Sequence, residues 1–91
     1  MHILIYPCFS KFGFQLVDYF LNSGVKVDGV GRLEEDDEWF YFESIGRNAN
    51  FKFMDEKEFR TEESYDQAYL LDKNLKVEAS HIIYLDSVKS E

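Results

Sequence analysis

A small α/β domain with a five-stranded, mostly parallel sheet is the fold this sequence predicts, and three observations carry it. Residues 2–6 and 81–85 are apolar at consecutive rather than alternate positions, the pattern of strands covered on both faces. Between Phe12 and Asn22 the apolar period lengthens to that of a helix, and a second strand-like run follows directly. Two further strand-length segments, at 51–54 and 66–71, are set off by helix-length intervals, so a parallel sheet with helical crossovers is expected. There is no repeat, linker or low-complexity stretch, and residues 1–91 read as a single domain.

The first strand, His-Ile-Leu-Ile-Tyr at 2–6, stops at Pro7, which has no N–H to donate to a ladder. In the helix after it, Phe12, Leu16, Tyr19 and Phe20 fall at i, i+4, i+7 and i+8, and Ser23-Gly24 supplies the C-terminal stop. Residues 25–30 form the second strand, broken by Gly29 and closed by Gly31. A strand–helix–strand unit of this length closes through a right-handed crossover, which lays both strands parallel in one sheet.

Residues 33–53 admit two readings. Glu34-Glu35-Asp36-Asp37 suits the positive end of a helix dipole, with Trp39, Phe42 and Ile45 along one side and Gly46 at the end. Yet Trp39-Phe40-Tyr41-Phe42 has strong strand propensity, and 46–50 could turn a hairpin back into Phe51-Lys52-Phe53. Propensity on its own leans slightly to the hairpin. Residues 51–54 are a strand either way. Residues 55–64 are charged and read as a surface helix or loop, 66–71 as a strand, 72–79 as a weak helix, and 81–85 as the last strand before a polar tail.

Eighteen acids against ten bases give a net charge of −8, a field that repels polyanions and argues against nucleic acid or an anionic membrane surface as a partner. A lone cysteine forms no internal disulfide, which fits a reducing compartment. No apolar run approaches the length of a bilayer span, and the first residues lack the basic–apolar–small order of a signal peptide. A cytoplasmic protein is expected. Aromatics make up 18% of the chain, enough for a packed core with some surface left for a partner.

In order and length, HILIY, FGFQLVDYFLNSG and VKVDGVGRL resemble the opening of an extended short-chain dehydrogenase/reductase, the nucleotide-sugar epimerase and dehydratase group. IGRNANFKFMDEKEF resembles that family's third strand with the segment before it, SYDQAYLLD its fourth strand and SHIIYLDSV its fifth. The resemblance implies a truncated, degenerate Rossmann-like domain in three layers with strand order 3-2-1-4-5, and a helix rather than a hairpin at 34–45.

It also implies a dinucleotide site, and there the chain departs from the pattern. The family's three loop glycines fall at Pro7, Ser10 and Gly13: the glycines that make the turn and admit the pyrophosphate are gone, and the one that packs helix on strand remains. The acid that holds the ribose falls at Gly31, followed by Arg32, an arrangement that accommodates a 2′-phosphate. The acid after the third strand falls at Lys57, with Asp55 nearby, and the small residues after the fourth become Asp72 and Lys73. Ser87 stands at the family's active-site Ser or Thr, while its Tyr-x-x-x-Lys pair and substrate domain fall beyond Glu91. The resemblance therefore implies no reductase or epimerase chemistry in these residues. The expectation is a non-catalytic interaction or regulatory module with no cofactor. Its rival is a small NADP- or nucleotide-binding sensor in which Ser10, Gly13, Arg32 and the first helix's N-terminus still hold phosphate.

Three further features are weighed on their residues alone. Cys8 lies where a strand enters a helix, a place that can activate a thiol, but the phosphocysteine pattern needs an arginine where this chain has Phe14, so a buried structural cysteine is expected. His2 and His81 have no partner at ligand spacing, and the acidic runs at 34–38 and 55–63 lack the glycine and alternation of a calcium loop, so no metal site is expected. Trp39, Phe40 and Tyr41 point around a helix rather than along one side, which makes them the candidate interface of a homodimer or a hetero-complex.

Overall fold

The run Ile3-Leu4-Ile5 is fully buried because its strand lies at the centre of a sheet covered on both faces. The computed structural model describes residues 1–59, 64–71 and 77–84. In chain order the elements are β1 (His2–Tyr6), α1 (Lys11–Asn22), β2 (Lys26–Gly31), α2 (Asp36–Ile45), β3 (Phe51–Asp55), β4 (Ser64–Leu70) and β5 (Glu78–Tyr84). They form one five-stranded sheet in the order β3-β2-β1-β4-β5, every pair parallel. This is the Rossmann-like α/β architecture and strand order expected from the sequence.

Alternate residues of the strands feed two separate cores. Ile3, Ile5 and Val27 pack with Cys8, Phe9, Val17, Leu21 and Ile45 under the two helices. On the other face Leu4, Tyr6 and Val30 pack with Tyr65, Ala68 and Leu70, against partly buried Met54, Phe59, Val77 and Ala79. The layering follows from crossover handedness. Successive right-handed crossovers from β1 to β2 to β3 place α1 and α2 on one side, and the return past β1 to β4 sends the later connections to the other. Phe59 and Val77, which precede β4 and β5, are described parts of those connections.

Both helix ends have identifiable causes. Ser10 caps α1 by accepting the N–H of Gly13 at 3.0 Å. At the other end Gly24 takes a φ of +81°, while its N–H and that of Val25 reach the carbonyls of Leu21 and Phe20, each at 3.0 Å. Residues 36–45 are helical, so the hairpin reading is excluded there. The Glu38 carboxylate takes the N–H groups of Glu34 and Glu35 at 2.7 and 2.8 Å, and Phe42 and Ile45 pack into the helix-side core. Capping plus tertiary packing outweighs strand propensity, which depends strongly on context. The last residues of the weak helix read at 72–79 belong instead to β5, where Ala79 pairs with Tyr65 in a register that runs on to Tyr84. Asp72 and Lys73, Leu85 and Ser87 lie outside the described residues.

Candidate functional site

Ligands of such sheets bind beyond the carboxyl ends of the strands, beside the point where the strand order reverses. Here a cleft of about 420 Å³ occupies that place, lined by Tyr6, Pro7, Phe9, Ser10, Arg32, Glu38 and Glu56. β1 delivers Tyr6, the loop into α1 delivers Pro7 to Ser10, and Arg32 follows β2 directly. The cleft is thus assembled where a dinucleotide's phosphates and adenine ribose would lie.

Its loop turns inward. Phe9 is only 4% exposed. Its ring stacks on Phe53 with centroids 5.3 Å apart and planes 11° from parallel, and it meets Phe42 edge-on at 6.0 Å. Cys8 is fully buried and donates its N–H to the Val30 carbonyl at 2.9 Å. A Cβ on Gly29 would lie 2.9 Å from the Cys8 sulfur, so that strand is bare of side chain where the thiol packs. Burial pushes the thiol pKa far up, against a smaller opposing effect of its backbone hydrogen bond, and thiolate is suppressed at neutral pH.

Ser10 and Gly13 are likewise committed within the loop. The Ser10 hydroxyl donates to the Pro7 carbonyl at 3.1 Å while accepting from Gly13. A Cβ on Gly13 would overlap that same carbonyl, so this glycine serves close packing of helix on loop.

Arg32 is also engaged. Its Nε donates to Glu38 Oε2 at 2.9 Å, with Glu34 Oε1 3.7 Å from a terminal nitrogen. The hydrogen bond to Glu38 raises the guanidinium pKa. Partial burial works to raise the Glu38 pKa, but the N–H groups of Glu35 and Glu34 and the Arg32 guanidinium together hold it below the usual glutamate range. On the far wall Tyr6 donates its hydroxyl to Glu56 Oε1 at 3.1 Å, and the Glu56 N–H binds the Gly31 carbonyl at 2.7 Å. The cleft lining thus carries one guanidinium, Arg32, and two carboxylates, Glu38 and Glu56, a balance ill suited to phosphate.

Ser10 and Arg32 therefore line one cleft, with Gly13 in the adjoining first turn of α1. Of the aromatic trio, Trp39 is 45% and Phe40 66% exposed. Tyr41 is half-buried and stacks on Phe14 of α1, with centroids 4.4 Å apart. Among the described residues no group of three or more His, Cys, Asp or Glu is placed to hold a metal, and no helix is long and apolar enough to cross a membrane.

Sequence reasoning missed a polar cluster at the opposite, amino end of the sheet. Asp28 of β2 is 4% exposed. Tyr65 donates its hydroxyl to Asp28 Oδ2 at 2.9 Å, and His2 Nε2 lies 3.0 Å from Oδ1. The His2 backbone N–H reaches Asp66 at 2.8 Å. A carboxylate between the apolar Val27 and Val30 was a signal of its own, since a buried charge requires partners. Which residues supply them was not written locally.

Compared with known proteins, the chain matches no family model, no curated protein and no solved structure.

Proposed function

We propose that this is a cytoplasmic, non-catalytic interaction module that keeps the scaffold of a degenerate short-chain dehydrogenase/reductase nucleotide-binding domain while its own side chains take over the crevice. The Arg32–Glu38 pair carries this reading. The guanidinium best placed for a cofactor's 2′-phosphate is already bound to a carboxylate, and that carboxylate's other oxygen caps α2. A phosphate displacing Glu38 from Arg32 would compete with a contact that anchors the helix. The buried Phe9 and the committed hydroxyl of Ser10 support the same conclusion. The interaction half rests on Trp39 and Phe40, which α2 leaves exposed.

Titration with NAD and NADP, followed by calorimetry and by NMR shifts of Gly13 and Arg32, tests the first half. No saturable binding of NAD is expected, and NADP at most in the millimolar range, where the free energy is about −4 kcal/mol. Micromolar NAD binding would overturn the reading. NADP binding at that strength, abolished by Arg32→Ala, would establish the phosphate-holding sensor in its place.

A further inference from the structure

The exposed pair on α2 is bracketed by charge of one sign. Asp36 lies three and four residues before Trp39 and Phe40, and Glu43 lies four and three residues after them, so helical spacing sets a carboxylate one turn to either side. Asp36 and Glu43 are both exposed, as are Glu34, Glu35 and Asp37 just upstream. No lysine or arginine lies within α2 or its acidic lead-in; of the arginines at either end, Arg32 is engaged with Glu38 and Arg47 follows the helix beyond Gly46.

We propose that this face of α2 binds a basic, arginine-rich polypeptide segment of another protein. The inference rests on the interaction-module reading and names the chemistry of the partner. A cation over the face of an indole or phenyl ring is attracted by the ring's quadrupole, and flanking carboxylates strengthen that attraction. Arginine fits better than lysine, because its planar guanidinium stacks on a ring and still offers N–H groups to a carboxylate in the same plane. A second copy of this chain fits poorly. A two-fold contact is self-complementary, so it would set the acid-flanked aromatics of one copy against those of the other, and a net charge of −8 on each adds to the repulsion.

Trp39 is the single tryptophan of the chain, so its fluorescence reports on this face directly. The probe is a synthetic peptide of alternating arginine and glycine, with lysine–glycine and glutamate–glycine peptides of equal length beside it. The arginine peptide is expected to change Trp39 emission saturably and more tightly than the lysine peptide, and the glutamate peptide to leave it unchanged. Paired Asp36→Asn and Glu43→Gln substitutions should weaken binding about tenfold, with calorimetry giving a similar loss for Trp39→Ala at unaltered charge. Neutralising the exposed Asp18 and Glu58 instead, which removes the same charge elsewhere, should change affinity less than about twofold.

Equal losses from the two neutralised pairs, or no loss with Trp39→Ala, would reduce the effect to general attraction of a cation to an acidic protein and overturn the proposal. So would an unperturbed Trp39. Sedimentation separates this failure from that of the wider reading. A wild-type dimer that Trp39→Ala dissociates would keep the interaction module and replace the basic partner with a second copy.

Discussion

At the residue scale, Asp28 carries the most concentrated polar requirement in the described chain. A carboxylate inside a parallel sheet is tolerable only when its lone pairs are occupied, and Tyr65 and His2 supply a contact to each oxygen. Removing the carboxylate takes away the acceptor of the buried Tyr65 hydroxyl bond, so Asp28→Ala should cost about 1–3 kcal/mol of stability. Tyr65→Phe, which takes away only one donor, should cost about 1–3 kcal/mol. Urea unfolding of the variants gives both values. A neutral Tyr65→Phe would show that the hydroxyl adds nothing to holding Asp28. The acid itself was legible in the sequence, but its partners come from β1 and β4 and meet it only through the strand order and register. Cys8 shows the reverse case. Its burial was legible, because Pro7 and the bulky residues after it leave a thiol at the strand end no exposed cradle to occupy.

At the scale of elements, α1 and α2 contrast in how they were written. The apolar spacing of α1 fits one template, and its caps, Ser10 and Gly24, are of the usual residue types. The aromatic run of α2 fits strand and helix alike, and no small polar residue stands at its N-cap. The deciding contact is the reach of Glu38 back to the N–H groups of Glu34 and Glu35, with Arg32 steadying the carboxylate from the end of β2. Glu38→Gln keeps the shape and an oxygen able to accept the same N–H groups but gives up the charge, and should cost roughly 0.3–1 kcal/mol, the worth of a carboxylate at a helix N-terminus. The pH dependence has a definite sign. The folded state holds the Glu38 pKa down, so its stabilisation is present above the unfolded value of about 4.3 and is lost as pH falls through the lower folded value. Wild type should therefore lose more stability than Glu38→Gln between neutral and acidic pH. Parallel profiles from thermal melts across that window would remove Glu38 from the account.

At the scale of the whole molecule, a mostly parallel sheet was legible because apolar period and crossover handedness are properties of segments, whereas the strand order was only what the family resemblance implied. The lining of the cleft was only half legible. That the loop carries Pro7 and Ser10 and not glycines is plain in the sequence, but that Phe9 turns inward onto Phe53, and that Arg32 is taken by Glu38, depends on tertiary placement. The same placement concentrates charge. Glu34–Glu38 and the acids at 55, 56 and 58 lie at or just after the carboxyl ends of β2 and β3 in a domain whose radius of gyration is 12.1 Å. At low ionic strength these groups repel over distances comparable to the molecule, whereas at about 0.15 M salt the screening length falls to about 8 Å. Salt also weakens attraction, but the two contacts of the half-exposed Arg32, with Glu38 and Glu34, are a small term beside an excess of eight negative charges. Repulsion should win. The melting temperature is therefore expected to rise as sodium chloride is increased from about 10 to 150 mM. The rise should be smaller in a variant carrying Asp36→Asn and Asp37→Asn, which thins the crowded side without touching the Arg32–Glu38 pair. A melting temperature that falls with salt would mean that the few attractive pairs, and not the net charge, govern the electrostatics of the fold.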